Sequence, residues 1–109
     1  MTTLIDTLSR RLQEGRDGAT MRFALGKALL DEGEAAAALV HLREAVRQDP
    51  DYSAAWAQLG RCEQTLGDLA AAIAAWRQGH GVAERRGDAQ TVRQIAVWLK
   101  KAEARAAAG

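Results

Sequence analysis

The sequence of 109 residues repeats itself at one offset, and this repetition limits the possible folds more than any other feature. Identical residues recur 34 positions later: Leu25-Gly26 as Leu59-Gly60, Gly33 as Gly67, Ala36-Ala37-Ala38 as Ala70-Ala71-Ala72, and Arg43 as Arg77. A period of this length is typical of a helix–turn–helix unit, which cannot bury its apolar face alone and stacks against a neighbour. The repetition therefore predicts an array of stacked helical hairpins.

The apolar residues inside the first repeat follow the spacing of an α-helix. Met21, Leu25 and Leu29 lie four residues apart, so they share one face of a helix. Gly33 follows as the type of residue that ends a helix in a left-handed conformation. A second helix must end before Pro50, because the residue that precedes a proline is driven out of the helical conformation. We predict an all-α fold in which each repeat is one hairpin.

These residues resemble the tetratricopeptide repeat family, whose pattern is Trp-x2-Leu-Gly-x2-Tyr on a first helix and Ala-x3-Phe-x2-Ala, then Pro, on a second. Residues 19–52 match it with Leu25-Gly26, Gly33-Glu34, Ala38, Leu42, Ala45 and Pro50, and residues 53–86 with Trp56, Leu59-Gly60, Gly67-Asp68, Ala72, Trp76 and Gly79. The sequence departs from it where Arg22 replaces the first Trp, where Leu29 and Glu63 stand in place of Tyr, and where the second repeat has no closing Pro. The resemblance implies a right-handed superhelical stack of helical hairpins, a solenoid with two full repeats.

Helices are also predicted on both sides of the repeats, at residues 2–14 and 88–106. The last of them carries an apolar stripe that consists of Val92, Ile95, Ala96, Leu99 and Ala102. The ends of a helical array must turn a polar face to water, so we interpret both helices as caps of a single domain over residues 1–109. We also expect Trp98 to fill the hollow beside the small Gly79.

The residues that carry chemistry are few. Cys62 is the only cysteine, and His41 and His80 are the only histidines. We predict Cys62 to be a buried thiol, His41 to lie on the outer surface and His80 to belong to a long helix, so they do not form a catalytic set. The sequence contains no Cys-x2-Cys pair and no two histidines at i, i+4, so it does not indicate a zinc site. We expect a protein without enzymatic activity, metal or cofactor.

The charges restrict the partners. Fifteen basic residues face 14 acidic ones, so no net field draws the chain to nucleic acid or to an anionic membrane. No apolar run approaches the roughly 20 residues of a membrane span, and a cytoplasmic location is expected. The excess of basic residues at 85–105 leaves RNA or DNA binding through the last helix as a weaker alternative.

The remaining function is the binding of a protein or peptide. In the family the first helices line a concave groove, which implies these groove residues here: Phe23, Lys27, Leu30, Asp31, Ala57, Gln58, Arg61 and Gln64. Phe23 and Leu30 are the expected apolar anchors, and Lys27 and Arg61 occupy matching positions that suit an acidic group of the partner. The main alternative is a structural subunit that self-associates through Phe23, Leu30 or the last helix.

Overall fold

The structure, a computed structural model, describes residues 3–109, and six α-helices occupy most of this range. They are α1 (Leu4–Gln13), α2 (Ala19–Asp31), α3 (Ala35–Gln48), α4 (Ser53–Thr65), α5 (Leu69–Arg86) and α6 (Ala89–Ala108). The described part of the chain contains no strand, and the all-α prediction is confirmed. Residues 1 and 2, which include the predicted start of the first helix, lie outside the described residues.

Each repeat is a hairpin in which a large side chain of the second helix rests on a glycine of the first. A Cβ atom on Gly26 would lie 2.7 Å from Cγ of Leu42, and one on Gly60 would lie 2.5 Å from Cδ1 of Trp76. Both large side chains are fully buried, so they have no room to withdraw. The glycines are required because only they let the paired helices approach this closely.

The turns of the two hairpins are also equivalent. Gly33 has a φ of 83° and Gly67 a φ of 87°, a left-handed conformation that L side chains rarely adopt. Asp68 caps the next helix with a hydrogen bond from the backbone N–H of Ala71, at 3.0 Å. The predicted change of direction at each Gly-acid pair is therefore present in the structure.

The hairpins stack so that the first helices lie on the inside of the array. Helix α4 packs against α2 on one side and α6 on the other. Among residues 3–109, the second helices α3 and α5 make no close backbone approach to each other. Since the first helices touch and the second helices diverge, the stack curves around α2, α4 and α6. We call the exposed side of these three helices the inner face, and the side of α3 and α5 the outer face.

Helix α6 covers the end of the second hairpin. Its Ile95 and Ala102 are buried in a cluster with Ala57, Ile73 and Trp76. The predicted stripe is only partly correct, because Ala96 is exposed and Thr91 is buried instead.

The predicted contact between Trp98 and Gly79 is wrong. A Cβ atom on Gly79 would lie 2.6 Å from Cβ of Trp56 and 3.0 Å from Cδ1 of Ile95, so these two residues fill the hollow. Trp98 packs on Trp76 instead, with 5.8 Å between the ring centroids. Helix α5 has 18 residues where α3 has 14, and this extra length shifts the register of α6 relative to the 34-residue period.

Arg22, which stands where the family has a tryptophan, ties three segments together with hydrogen bonds. Its guanidinium donates to both carboxylate oxygens of Asp17, at 2.8 Å and 3.0 Å, and lies 3.2 Å from Nδ1 of His41. Arg22 and a further hydrogen bond from Gln48 hold the pKa of Asp17 well below its ordinary value. His41 lies on the outer helix α3, as predicted, but its ring is half-buried, and burial together with Arg22 lowers its pKa.

The close approach at Gly60 generates a stability prediction. Gly60→Ala is expected to lower the free energy of unfolding by about 1–3 kcal/mol, because the new methyl group overlaps the buried indole of Trp76. This loss exceeds the gain of roughly 1 kcal/mol in helix propensity. Urea unfolding followed by circular dichroism measures the difference.

Gly81→Ala is the matched control within a helix. Its Cβ atom meets only Nη1 of Arg85, at 3.5 Å, so this change is expected to be neutral or to stabilise by up to about 1 kcal/mol. Equal destabilisation by the two changes would contradict the claim that Gly60 is a contact point and Gly81 is not.

The environment of His41 generates a prediction about pH. Because its pKa is lower in the folded chain than in the unfolded one, the unfolded chain binds the proton more readily as the pH falls. The free energy of unfolding of the wild type should therefore fall between about pH 7 and pH 5 relative to that of His41→Gln. Urea unfolding of both proteins across this range tests it, and a constant difference between them would contradict it.

Candidate partner-binding face

The predicted groove residues lie on α2 and α4, and the structure divides them into accessible and buried ones. Lys27 and Asp31 are exposed, while Phe23, Arg61 and Gln64 are half-buried. Gln58 is 8% exposed, Leu30 7% and Ala57 1%, so these three cannot form much direct contact with a partner.

The expectation that Leu30 is an exposed apolar anchor is wrong. Leu30 belongs to the core between the first hairpin and α4, together with Leu42 and Leu59. Ala57 is covered by α6 and packs in the cluster of Trp76 and Ile95. Both residues lie on the sides of their helices that face the next helix of the array. Stacking buries these sides, so a partner cannot reach them.

Phe23 is half-buried and takes part in the packing of the first repeat. Its ring lies on that of Tyr52, with 4.9 Å between the centroids and 37° between the planes. Tyr52 directly precedes α4, so this aromatic pair joins the first helix of one repeat to the beginning of the next. Phe23 therefore has an accessible edge and a structural role at the same time.

Lys27 is already paired within its own helix. Its Nζ donates to Oδ2 of Asp31 at 3.0 Å, one turn later. Both side chains are about half exposed, and an exposed pair of this type is worth only a few tenths of a kcal/mol. A carboxylate from a partner could replace Asp31 at little energetic cost.

Arg61 is held in place by two neighbours. Its Nη1 donates to Oε1 of Gln58 at 2.7 Å, and its Cζ lies 5.9 Å from the ring centroid of Trp98 on α6. Gln58 is thus a positioning residue, and Trp98 is a member of the inner face that the sequence analysis missed. The guanidinium keeps further N–H groups that can bind a carboxylate.

The cysteine and the two histidines each contact a different partner. The Sγ of Cys62 donates to the carbonyl oxygen of Ala35 at 3.1 Å, and burial raises the pKa of this thiol. His80 lies 3.1 Å from Glu84, while His41 contacts Arg22. Residues 3–109 hold no group of three or more His, Cys, Asp or Glu side chains arranged to bind a metal ion.

A helix that crosses a membrane must be both long and apolar. Within residues 3–109, no helix is both long enough and apolar enough to cross a bilayer.

Comparisons with known proteins agree with this architecture. A tetratricopeptide repeat family model matches residues 29–79. A TPR repeat-containing protein of Pseudomonas aeruginosa is 46% identical over 98 residues, which cover 90% of this chain and 93% of the relative. A Bordetella parapertussis protein solved in solution has 39% identity and a TM-score of 0.83, covering 96% of this chain and 91% of its own.

A crystal structure of a tetratricopeptide repeat domain protein from Salinibacter ruber is also similar. It has 30% identity and a TM-score of 0.76, and the match covers 81% of this chain and 98% of that one. The predicted solenoid of helical hairpins is confirmed by these neighbours. Since the Pseudomonas relative is matched along nearly its whole length, the chain belongs to the tetratricopeptide repeat family.

Proposed function

We propose that the inner face binds a segment of a partner protein that offers an acidic group to Arg61 and Lys27 and an apolar side chain to Phe23. Tetratricopeptide repeats are generally protein–protein interaction modules and generally not catalytic, which supports a binding role. The proposal assigns no chemical reaction to the chain. Asp31 and Gln64 complete the surface beside the two cations.

The observation that carries the proposal is the pair of contacts that Arg61 makes with Gln58 and Trp98. A side chain that Gln58 and Trp98 already restrain loses less conformational entropy when it binds a ligand, so more of the contact energy appears as affinity. Arg61 also lies on α4, the middle of the three inner helices. Lys27 is the weaker site, because its side chain is about half exposed and water screens a charge pair there.

A capture experiment with charge-reversal variants tests this surface. Full-length wild type and the double variant Lys27→Glu/Arg61→Glu are immobilised side by side, and partner proteins are recovered from a lysate of the source cell. We expect the double variant to lose at least tenfold in affinity for the recovered partner, about 1.4 kcal/mol, when binding is measured by titration. Its free energy of unfolding should fall by no more than about 1 kcal/mol, since Lys27 is exposed and the half-buried Arg61 loses its hydrogen bond to Gln58 and its contact with Trp98.

Arg85→Glu is the control for the single reversal Arg61→Glu, because both variants change the net charge by the same amount. Arg85 is an exposed residue of α5, on a different helix from the inner face. The control variant should retain the partner that Arg61→Glu and the double variant lose. Loss of the partner by Arg85→Glu, with retention by Lys27→Glu/Arg61→Glu, would show that binding does not use the inner face.

Phe23→Ala is a less direct test than the charge reversals. The ring packs on Tyr52 and against the core of the first hairpin, so its removal changes stability as well as binding. A lower affinity of this variant is informative only after its unfolding curve has been compared with that of the wild type.

Self-association is the second candidate, and exposed apolar surface on α6 favours it. Val97 is 53% exposed on the last helix, which no further hairpin follows within the described residues. Light scattering over a range of concentrations separates the two candidates. A dimer that Val97→Glu converts to a monomer would favour self-association.

The basic residues of α6 give weaker support to nucleic-acid binding, because Arg93 and Lys100 lie on a different side of the helix from Lys101 and Arg105.

A further inference from the structure

A hollow of about 340 Å³ lies on the outer face, away from the inner surface described above. Its floor is formed by Trp56, Leu59 and Glu63 of α4, and its wall by Ala71, Ala74, Ala75 and Gln78 of α5. Helix α3 borders the opposite side, since the Arg43 guanidinium lies 4.0 Å from the Glu63 carboxylate. The hollow therefore opens through the gap between the diverging second helices.

The hollow lies where the repeat pattern has one larger side chain. Glu63 occupies the position of the tyrosine in the repeat pattern, and the equivalent residue of the first repeat is Leu29, which packs against the core. Alanines on the neighbouring turns of α5 cannot fill the remaining space. The second repeat thus leaves a hollow beside Glu63, whereas the equivalent Leu29 of the first repeat packs against the core.

Glu63 lies in this hollow with little compensation for its charge. The residue is only 7% exposed, but within residues 3–109 no side-chain oxygen is both buried and unpartnered, so the Glu63 carboxylate keeps an accessible edge in the hollow. Arg43 is its cation, but the distance of 4.0 Å is too long for a hydrogen bond, and that guanidinium is 61% exposed. Burial accordingly raises the pKa of Glu63. A largely buried carboxylate whose ion pair is this long gains stability when a second cationic donor reaches it.

We propose that this hollow is a second binding site, which takes an arginine side chain of a partner segment. The guanidinium would donate to the Glu63 carboxylate, and the methylene groups would lie along the alanines and Trp56. Arginine fits better than lysine, because its planar fork can donate two hydrogen bonds to one carboxylate, and its apolar stem suits the walls. The complementary charge argues for this occupant over an apolar one.

The site is independent of the proposed inner-face function. Its lining residues belong to the side of α4 and α5 that faces α3, whereas Arg61 reaches toward α6. Both surfaces could be occupied at once, and the chain could then join an acidic segment to a basic one.

Nuclear magnetic resonance with a matched pair of peptides tests the proposal. The probes are acetyl-Ala-Ala-Arg-Ala-Ala-amide and the same peptide with citrulline, the neutral analogue of arginine. We expect the arginine peptide to shift the amide signals of Glu63, Ala71, Ala74 and Gln78 saturably, with a Kd in the millimolar range. The citrulline peptide should bind at least tenfold more weakly. Binding of the arginine peptide should also weaken as the pH falls and Glu63 becomes protonated.

Two variants complete the experiment. Glu63→Gln should weaken binding of the arginine peptide at least tenfold, and the exposed control Glu32→Gln, which changes the net charge equally, should leave it unchanged. If Glu63→Gln does not fold, the comparison of arginine with citrulline and the pH series on the wild type still decide the question.

Several results would overturn the proposal. They are the absence of a saturable shift up to about 10 mM peptide, equal binding of the citrulline peptide, and shifts confined to the inner face. A change of the same four amide signals with protein concentration alone would also overturn it, because the occupant would then be a second copy of the chain.

Discussion

The array depends on the contact in which Trp76 rests on Gly60. The indole is fully buried, and its Nε1 donates to the carbonyl oxygen of Ala57 at 3.0 Å, so its polar atom is also satisfied inside the core. The same ring packs on Trp98, and Trp98 in turn lies beside Arg61. One chain of contacts therefore connects the interior of the hairpin to the charged group that we assign to partner binding.

This arrangement explains why a small domain can present a fixed cation. Gly60 and Arg61 are consecutive in α4, so the residue that allows the close approach of α5 is adjacent to the one that faces outward. The packing of the hairpin at Gly60 and the contact with Trp98 of α6 therefore both restrain the Arg61 side chain. Surface arginines without such supports are mobile, and they bind ligands at a larger entropic cost.

Most of the fold could be predicted from the sequence, because the period of 34 residues fixes the hairpins and their turning glycines. The inner face was less predictable. Leu30 and Ala57 have the helical spacing of groove residues, but burial depends on how closely the next helix of the stack approaches. Trp98 was missed because the longer α5 changes the register of α6, and no local pattern reports that change. The ion pair of Lys27 and Asp31, in contrast, could have been read from their spacing of four residues.

Arg22 and Glu63 both depart from the repeat pattern, but with different consequences. Arg22 replaces an aromatic residue, but Asp17 and His41 surround it with hydrogen-bonding groups, so its role is accounted for by the packing of α2 on α3. Glu63 replaces another aromatic residue, and its only cation, Arg43, lies 4.0 Å away among the described residues, which is too far for a hydrogen bond. A local conflict that the fold leaves unresolved is the kind of feature expected at a binding site. This difference is the reason for assigning a ligand to one position and not to the other.

The three tryptophans allow a direct test of the central claim, which is that the inner face receives the partner. The indole N–H groups of Trp56 and Trp76 donate to backbone carbonyls of Pro50 and Ala57, whereas Trp98 lies beside Arg61. In a ¹⁵N spectrum of the full chain titrated with its acidic partner, the account predicts that the indole signal of Trp98 moves and that of Trp56 does not. A shift of the Trp56 signal with an unchanged Trp98 signal would contradict it.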